Sequence, residues 1–282
     1  MTDTGRIVAV TGASSGIGLA AARLFRDRGD KVYCLSRTDP KEPGITFIHT
    51  DVTDEASVNA AFGAIGKAEG RIDVLLSNAG IGVSGAAECT TMQDARRQLD
   101  VNFFGLHACV RAAVPLMRAH GGTILATSSV AAVFAIPFQA FYSASKFAVN
   151  ALVLALANEL KPFNIRVAAI MPGDVKTGFT GARVKAARDD NYGQSVEKSV
   201  AVMEDVKMEE RKPVMEFQKW SIFSLIDLGA GSSLTSSGFG AGRSGCSTGV
   251  FTFAGGASGA RFVSSSCSDA LLRTEMSKVA LS

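Results

Sequence analysis

Cysteine is scarce in this chain and follows no pattern: Cys34, Cys89, Cys109, Cys246 and Cys267 are five in number and form no C-x-x-C pair. An odd, scattered set excludes a disulfide framework and is read as reduced thiols in a cytoplasmic protein. Long hydrophobic runs are missing too. No segment reads as the roughly 18 to 20 apolar residues of a membrane span, and the polar Met1 to Gly5 followed by the strand-length run Ile7 to Val10 does not form a signal pattern. Charge of one sign is also lacking: the net charge is +3, with Lys and Arg interspersed among Asp and Glu. No basic block is left for a nucleic-acid partner. The three histidines, His49, His107 and His120, have no mutual ligand spacing, so no metal is implied.

What remains is aliphatic and alternating. The chain has 282 residues, enough for one large domain with a substantial core. A β-rich run over residues 6 to 11 ends in Thr11-Gly12-Ala13-Ser14-Ser15-Gly16-Ile17-Gly18, and Leu19 to Arg28 reads as an amphipathic helix. Strand, glycine-rich turn and helix in that order let backbone N–H groups approach a pyrophosphate at the positive end of the helix. An ordinary strand-to-helix connection is the competing reading. The next strand, Lys31 to Leu35, ends in Ser36-Arg37. An acidic side chain at that point would bind a ribose 2′-hydroxyl and a basic one accommodates a 2′-phosphate, so Arg37 favours NADP(H) over NAD(H). A solvent-facing turn arginine is the alternative.

Alternation continues with a strand at Ile45 to His49, a helix at Glu55 to Ala68 and a strand at Asp73 to Leu76. Helices follow from Gln93 to His120 with a bend near Asn102, then a strand at Thr123 to Thr127, a long helix at Gln139 to Leu160 and a strand at Ile165 to Ile170. Repeated β-α-β units with short connections predict an α/β fold, a doubly wound parallel sheet in a Rossmann-like three-layer sandwich. Ligands of such sheets sit at the carboxyl ends of the strands.

Within the long helix, Tyr142 and Lys146 stand four apart and so share a face. A phenol with an ordinary pKa near ~10 is a poor acid or base at neutral pH, whereas an ammonium one turn away and a nearby helix N-terminus favour the phenolate. The pair is a candidate general acid/base. The same spacing also occurs as a plain surface pair, and only its context decides.

Together these residues resemble the short-chain dehydrogenase/reductase family over roughly residues 5 to 180. The markers are the Thr11–Gly18 turn, Asp51-Val52, Asn78-Ala79-Gly80, Asn102, Ser129, Tyr142-x-x-x-Lys146 and Pro172-Gly173-Asp174-Val175-Lys176-Thr177. The resemblance implies hydride transfer between a nicotinamide and a carbonyl or hydroxyl carbon. It further implies that Tyr142 exchanges the proton, Lys146 lowers its pKa and meets the nicotinamide ribose, Ser129 orients the substrate oxygen and Asn102 helps hold a water relay. By the same resemblance Gly12, Ser14, Ser15, Gly16, Ile17 and Gly18 hold the phosphates and Asp51 and Val52 flank the adenine. Asn78, Ala79 and Gly80 would support the cofactor and the sheet end, with Pro172, Gly173, Val175 and Thr177 at the carboxamide. Ser128 is assigned a structural role, and Asp174 with Lys176 is read as a solvated turn pair. A catalytically silent NADP-binding sensor, and an epimerase or dehydratase on the same fold, are the alternatives.

The apolar connection Val133, Phe134, Ile136, Phe138 and Phe141 suits a lipophilic, even steroid-like, small-molecule substrate, or else packs beneath the sheet end. Val149, Leu152, Val153, Leu154 and Leu156 do not fit one helix face. The helix therefore needs a second cover, and a homodimer or homotetramer through it and the helix near residues 103 to 118 is expected. By regions, residues 1–178 form the dinucleotide-binding and catalytic core and residues 179–212 the substrate lid, hinged at Gly178 to Gly181 and then helical. Residues 213–282 are a Gly/Ser-rich region of uncertain fold. There Trp220 to Leu228 reads as a short apolar element, and Thr248 to Gly256 faintly resembles the family's final parallel strand. The motif pattern stops near Asp205, as a shifted reading frame would make it; translating the coding DNA in all frames decides that point.

Overall fold

Five consecutive buried residues make β1 (Ile7–Thr11), and their alternation builds two cores. Ile7 and Ala9 join one cluster, Val8 and Val10 the other, as a strand covered on both faces requires. The same split recurs at Leu75 against Val74 and Leu76 and at Ile124 against Leu125. The computed structural model describes residues 5–173, 175, 177–187, 190–192, 194–195, 250–256 and 259–265.

After β1 come α1 (Gly16–Asp27), β2 (Lys31–Ser36), β3 (Ile45–His49), α2 (Glu55–Glu69), β4 (Val74–Ser77) and the two-residue β5 (Val83–Ser84). Then follow α3 (Met92–Leu99), α4 (Gly105–Met117), β6 (Gly122–Thr127), α5 (Ala140–Glu159), β7 (Ile165–Met171), β8 (Val184–Lys185), β9 (Val250–Gly256) and β10 (Gly259–Ser265). The main sheet runs β10-β9-β7-β6-β4-β1-β2-β3. From β7 to β3 every pairing is parallel, so chain order reverses at β1 and a crevice opens there at the strands' carboxyl ends. This is the expected doubly wound α/β arrangement, with helices packed on a central parallel sheet.

Local chemistry accounts for the boundaries. Asp54 caps α2 by accepting from Ala56 N at 2.9 Å, and Gly70 closes the helix in the left-handed region, the usual start and stop devices. Thr91 caps α3 through Asp94 N at 3.0 Å. The bend expected near Asn102 is a π-helical turn over Asp100–Phe104. Such a widening interrupts the regular ladder and re-aims side chains.

Three expectations need correction. The strand expected at Thr248 to Gly256 exists as β9, but it pairs antiparallel with β7 and continues through an antiparallel hairpin into β10. Side-chain composition does not encode the direction in which a strand joins an edge. The lid was expected to be helical beyond Gly181, yet residues 184–185 are β8, paired in parallel with β5. Finally, α5 is long and apolar enough for a membrane span by length and composition, with a mean hydropathy of 1.4. Half of it is buried inside the fold, Lys146 and Asn150 included, so its apolar character serves packing against the sheet. Trp220 to Leu228, Asp174, Lys176 and the lid beyond residue 195 lie outside the described residues.

Candidate active site

A cleft of about 780 Å³ lies at the carboxyl ends of the parallel strands. One end is the turn after β1. Gly12 and Gly16 have φ of +63° and +54°, a region that disfavours side chains. A Cβ on Gly12 would come within 2.8 Å of Ala79 Cα. Ser15 precedes α1 without a side-chain cap, and the first turn of α1 carries no acidic residue. An uncapped positive helix end beside a side-chain-free turn is a cradle for a phosphate, so these residues fit the pyrophosphate of a dinucleotide. Gly18 lies behind the lining. Its hydrogen leaves room for Gly12 O and Asn78 Nδ2, both 2.5 Å from a built Cβ.

Asn78 ties the strand ends together. Its Nδ2 donates to Thr11 O and Gly12 O, each at 3.3 Å, and its Oδ1 accepts from Thr127 Oγ1 at 3.2 Å. Thr11 Oγ1 accepts from the backbone N–H groups of Asn78 and Ala79 at 2.9 and 3.0 Å. Thr11 and Thr127 had no assigned role in the sequence. A hydroxyl that ties neighbouring strands leaves no local pattern.

At the ends of β2 and β3, Ser36 is buried and Arg37 exposed, and both line the cleft. Asp51 and Val52 form the wall opposite. Burial pushes the Asp51 carboxyl up, but two hydrogen bonds from Thr53 and the charges of Arg37 and His49 outweigh it and hold the group below its ordinary value.

At the other end, Ser129, Tyr142 and Lys146 come together. Ser129 Oγ accepts from Ala131 N at 3.1 Å, and the Ser129 hydroxyl draws the Tyr142 phenol down. Ser128 instead turns inward, its Oγ 3.4 Å from Lys146 O. Lys146 Nζ donates to Thr127 O at 2.7 Å and lies 5.7 Å from the Tyr142 ring centroid. Burial holds the Lys146 ammonium down to about 8. Burial also pushes the Tyr142 phenol up, against the expectation that its neighbourhood favours the phenolate. The groups that draw it down are Ser129 and Arg183. The sequence could not weigh the cost of desolvation against the lysine.

Asn102, 3% exposed, sits behind the cleft wall. Its Oδ1 accepts from Ile81 N at 2.9 Å, and its Nδ2 donates to Ile81 O and Ser145 Oγ, both at 3.1 Å. Gln98 reinforces the same loop, accepting from Val83 N at 2.7 Å and donating to Ile81 O at 2.6 Å. Gln98, Ser145, Phe179 and Arg183 were not picked out from the sequence. Pro172, Gly173, Val175 and Thr177 line the cleft after β7, with Thr177 Cβ 3.5 Å from a Cβ built on Gly16. Of the five residues in the apolar connection only Ile136 lines it, and Phe134 is 55% exposed.

The family model for short chain dehydrogenase matches residues 6–188. The chain belongs to this family of nicotinamide-dependent oxidoreductases, which act on hydroxyl and carbonyl carbons. It is 40% identical over 204 residues to a 3-ketodihydrosphingosine reductase of Bacteroides thetaiotaomicron, covering 71% of this chain and 76% of that protein. It is 38% identical over 191 residues to the 17-beta-hydroxysteroid dehydrogenase type 1 of Mus musculus, covering 61% of this chain and 55% of the relative. The latter alignment thus spans little more than half of that relative's length. Among solved structures, a 3-ketoacyl-(acyl-carrier-protein) reductase from Brucella melitensis complexed with NADH superposes with a TM-score of 0.66 at 26% identity, covering 78% of this chain and 90% of that one.

Proposed function

We propose that this protein moves a hydride between NADP(H) and the carbonyl or secondary alcohol of a small lipophilic molecule, with Tyr142 as general acid and base. One observation carries the reading: Ser129, Tyr142 and Lys146 meet on one wall of a cleft whose other end is the Gly12–Gly16 turn. When bound, the nicotinamide supplies or accepts the hydride. Ser129 orients the substrate oxygen through the hydroxyl it already presents to the phenol. Tyr142 gives its proton to that oxygen in reduction and recovers it in oxidation. Lys146, held by Thr127 O, keeps a positive charge beside the phenol and faces the ribose. Asn102 fixes the Ile81 loop from behind.

For the cofactor, Gly12, Ser14, Ser15, Gly16 and Ile17 take the pyrophosphate, and Asp51 and Val52 the adenine. Val175 and Thr177 meet the carboxamide. The preference for NADP(H) is supported by Arg37, exposed after β2 where the strand end offers no carboxylate. A lipophilic substrate is supported by Ile81, Ile136, Phe179 and Val184 in the wall. The names of two relatives, for 3-ketodihydrosphingosine and for a 17-beta-hydroxysteroid, agree with it.

The test is NADPH and NADH oxidation with a panel of ketones, run beside Tyr142→Phe. The expected result is turnover with NADPH and lipophilic ketones, and a Phe variant that binds cofactor but loses roughly 10²- to 10⁴-fold in rate. Turnover of short polar or sugar substrates alone sinks the substrate class, and a fully active Phe variant rejects the mechanism.

We also infer a homodimer or homotetramer built on α4 and α5. Phe104, just before α4, is 54% exposed and Phe147 on α5 is 44% exposed, beside exposed Ala144, Ala151 and Ala155. An apolar stripe of this kind is covered most readily by a second copy of itself.

A further inference from the structure

No motif contains Arg183, yet the fold fixes it in the wall of the same cleft as Ser129, Tyr142 and Lys146. It directly precedes β8, whose pairing sets Val83 opposite Val184, and Val184 N donates to Gly82 O at 2.9 Å. Gly82 makes room for it: a Cβ there would lie 2.9 Å from Arg183 Cγ and 3.3 Å from Phe179 Cζ. The guanidinium carbon is 5.6 Å from the Phe179 ring centroid, and that ring is 5.8 Å from the ring of Tyr142. Attraction of a guanidinium to an aromatic face holds the charge in place. Among the described residues, the charged groups facing Tyr142 are Lys146 from its own helix and Arg183 from across the cleft.

We propose that Arg183 is a positioning residue for the reaction: pinned by the β5–β8 pair and stacked on Phe179, it holds a fixed positive charge on the open side of Tyr142 and so favours the deprotonated phenol when it acts as base. The inference rests on the reading of Tyr142 as the acid/base. Its electrostatic sense agrees with the downward pull of Arg183 on a phenol that burial pushes up. Lys146 lies on the same helix one turn away, its ammonium hydrogen-bonded to Thr127 O, so the two charges approach the phenol from different elements.

The experiment is an ultraviolet difference titration of the phenol in the wild type, Arg183→Gln, Arg183→Met and Arg183→Lys. Subtracting the matching Tyr142→Phe protein in each background removes Tyr33 and Tyr192. The Tyr142 midpoint is expected to rise by roughly half a pH unit or more in the Gln and Met variants and to return in the Lys variant. The basic limb of secondary-alcohol oxidation with NADP⁺ is expected to move the same way. A midpoint unmoved in all the variants, beside an inactive Tyr142→Phe, overturns the role of Arg183 alone. A shift in Gln but not in Met assigns the effect to packing of the stem and overturns it as well. An active Tyr142→Phe enzyme overturns the parent reading whatever the titration shows.

Discussion

The ammonium of Lys146 donates to the carbonyl oxygen of Thr127 at 2.7 Å, so the last residue of β6 fixes the lysine one helical turn from Tyr142. The ammonium is buried with a carbonyl for a partner and, among the described residues, no carboxylate, which is why burial dominates and the group sits near 8.

A pH dependence of stability follows. The folded value of about 8 lies below the ordinary 10.5. Between the two the unfolded chain binds more protons, so stability rises as pH climbs through this window. Below about 8 both states are protonated and the contribution is a constant penalty. Relative to Lys146→Met, the cofactor-free wild type is therefore expected to gain about 2 kcal/mol between pH 7 and pH 10. Urea denaturation of both proteins across that range reads it; parallel curves would remove the buried ammonium from the account.

The proposed preference for NADP(H) rests on Arg37 and can be tested there. Replacing it with Ser is expected to weaken NADPH binding by roughly ten- to a hundredfold, the worth of a charged hydrogen-bonding partner, and to leave NADH nearly unchanged. Fluorescence titration with both cofactors measures this directly. Equal losses for the two would assign Arg37 to the adenine or to the fold.

Asn78 joins the ends of β1, β4 and β6 through its amide. Asn78→Ala is expected to cost about 1 to 3 kcal/mol, because it leaves the partly buried carbonyls of Thr11 and Gly12 short of a donor, and to weaken cofactor binding as the glycine turn loosens. Thermal unfolding with and without NADPH separates the two effects. An unaltered unfolding curve would show that backbone pairing alone holds the turn.

Phe147→Asp, alone or with Phe104→Asp, is expected to convert the assembly to a monomer in multi-angle light scattering, with little change in the unfolding curve at dilute concentration. If the parent chain is already monomeric at micromolar concentration, the stripe is covered in some other way.

Much of the fold was legible because the parallel strands are continuous apolar runs and their ends carry Gly, Ser, Asn and Pro at turn positions. The bend at Asn102 showed as a polar residue inside a helical pattern. What escaped notice is non-local. Thr127 contributes a backbone carbonyl, which every residue owns. Gln98 and Ser145 act through partners distant in the chain, and Arg183 finds its seat over Phe179 because Gly82 has no side chain. The acidity of Tyr142 depends on how deeply the folded chain buries it, a quantity that Y-x-x-x-K spacing does not contain. The antiparallel join of β9 belongs to the same class.

The short β5–β8 pair has one more effect. With Val184 N on Gly82 O and Ala186 N on Ser84 O, the chain around β8 is stitched to the body of the domain at a point flanking the cleft. Arg183 and Phe179 then belong to the wall of the cleft that this pairing anchors. On the proposed reading of the site, an incoming molecule meets its electrostatic surroundings ready-made.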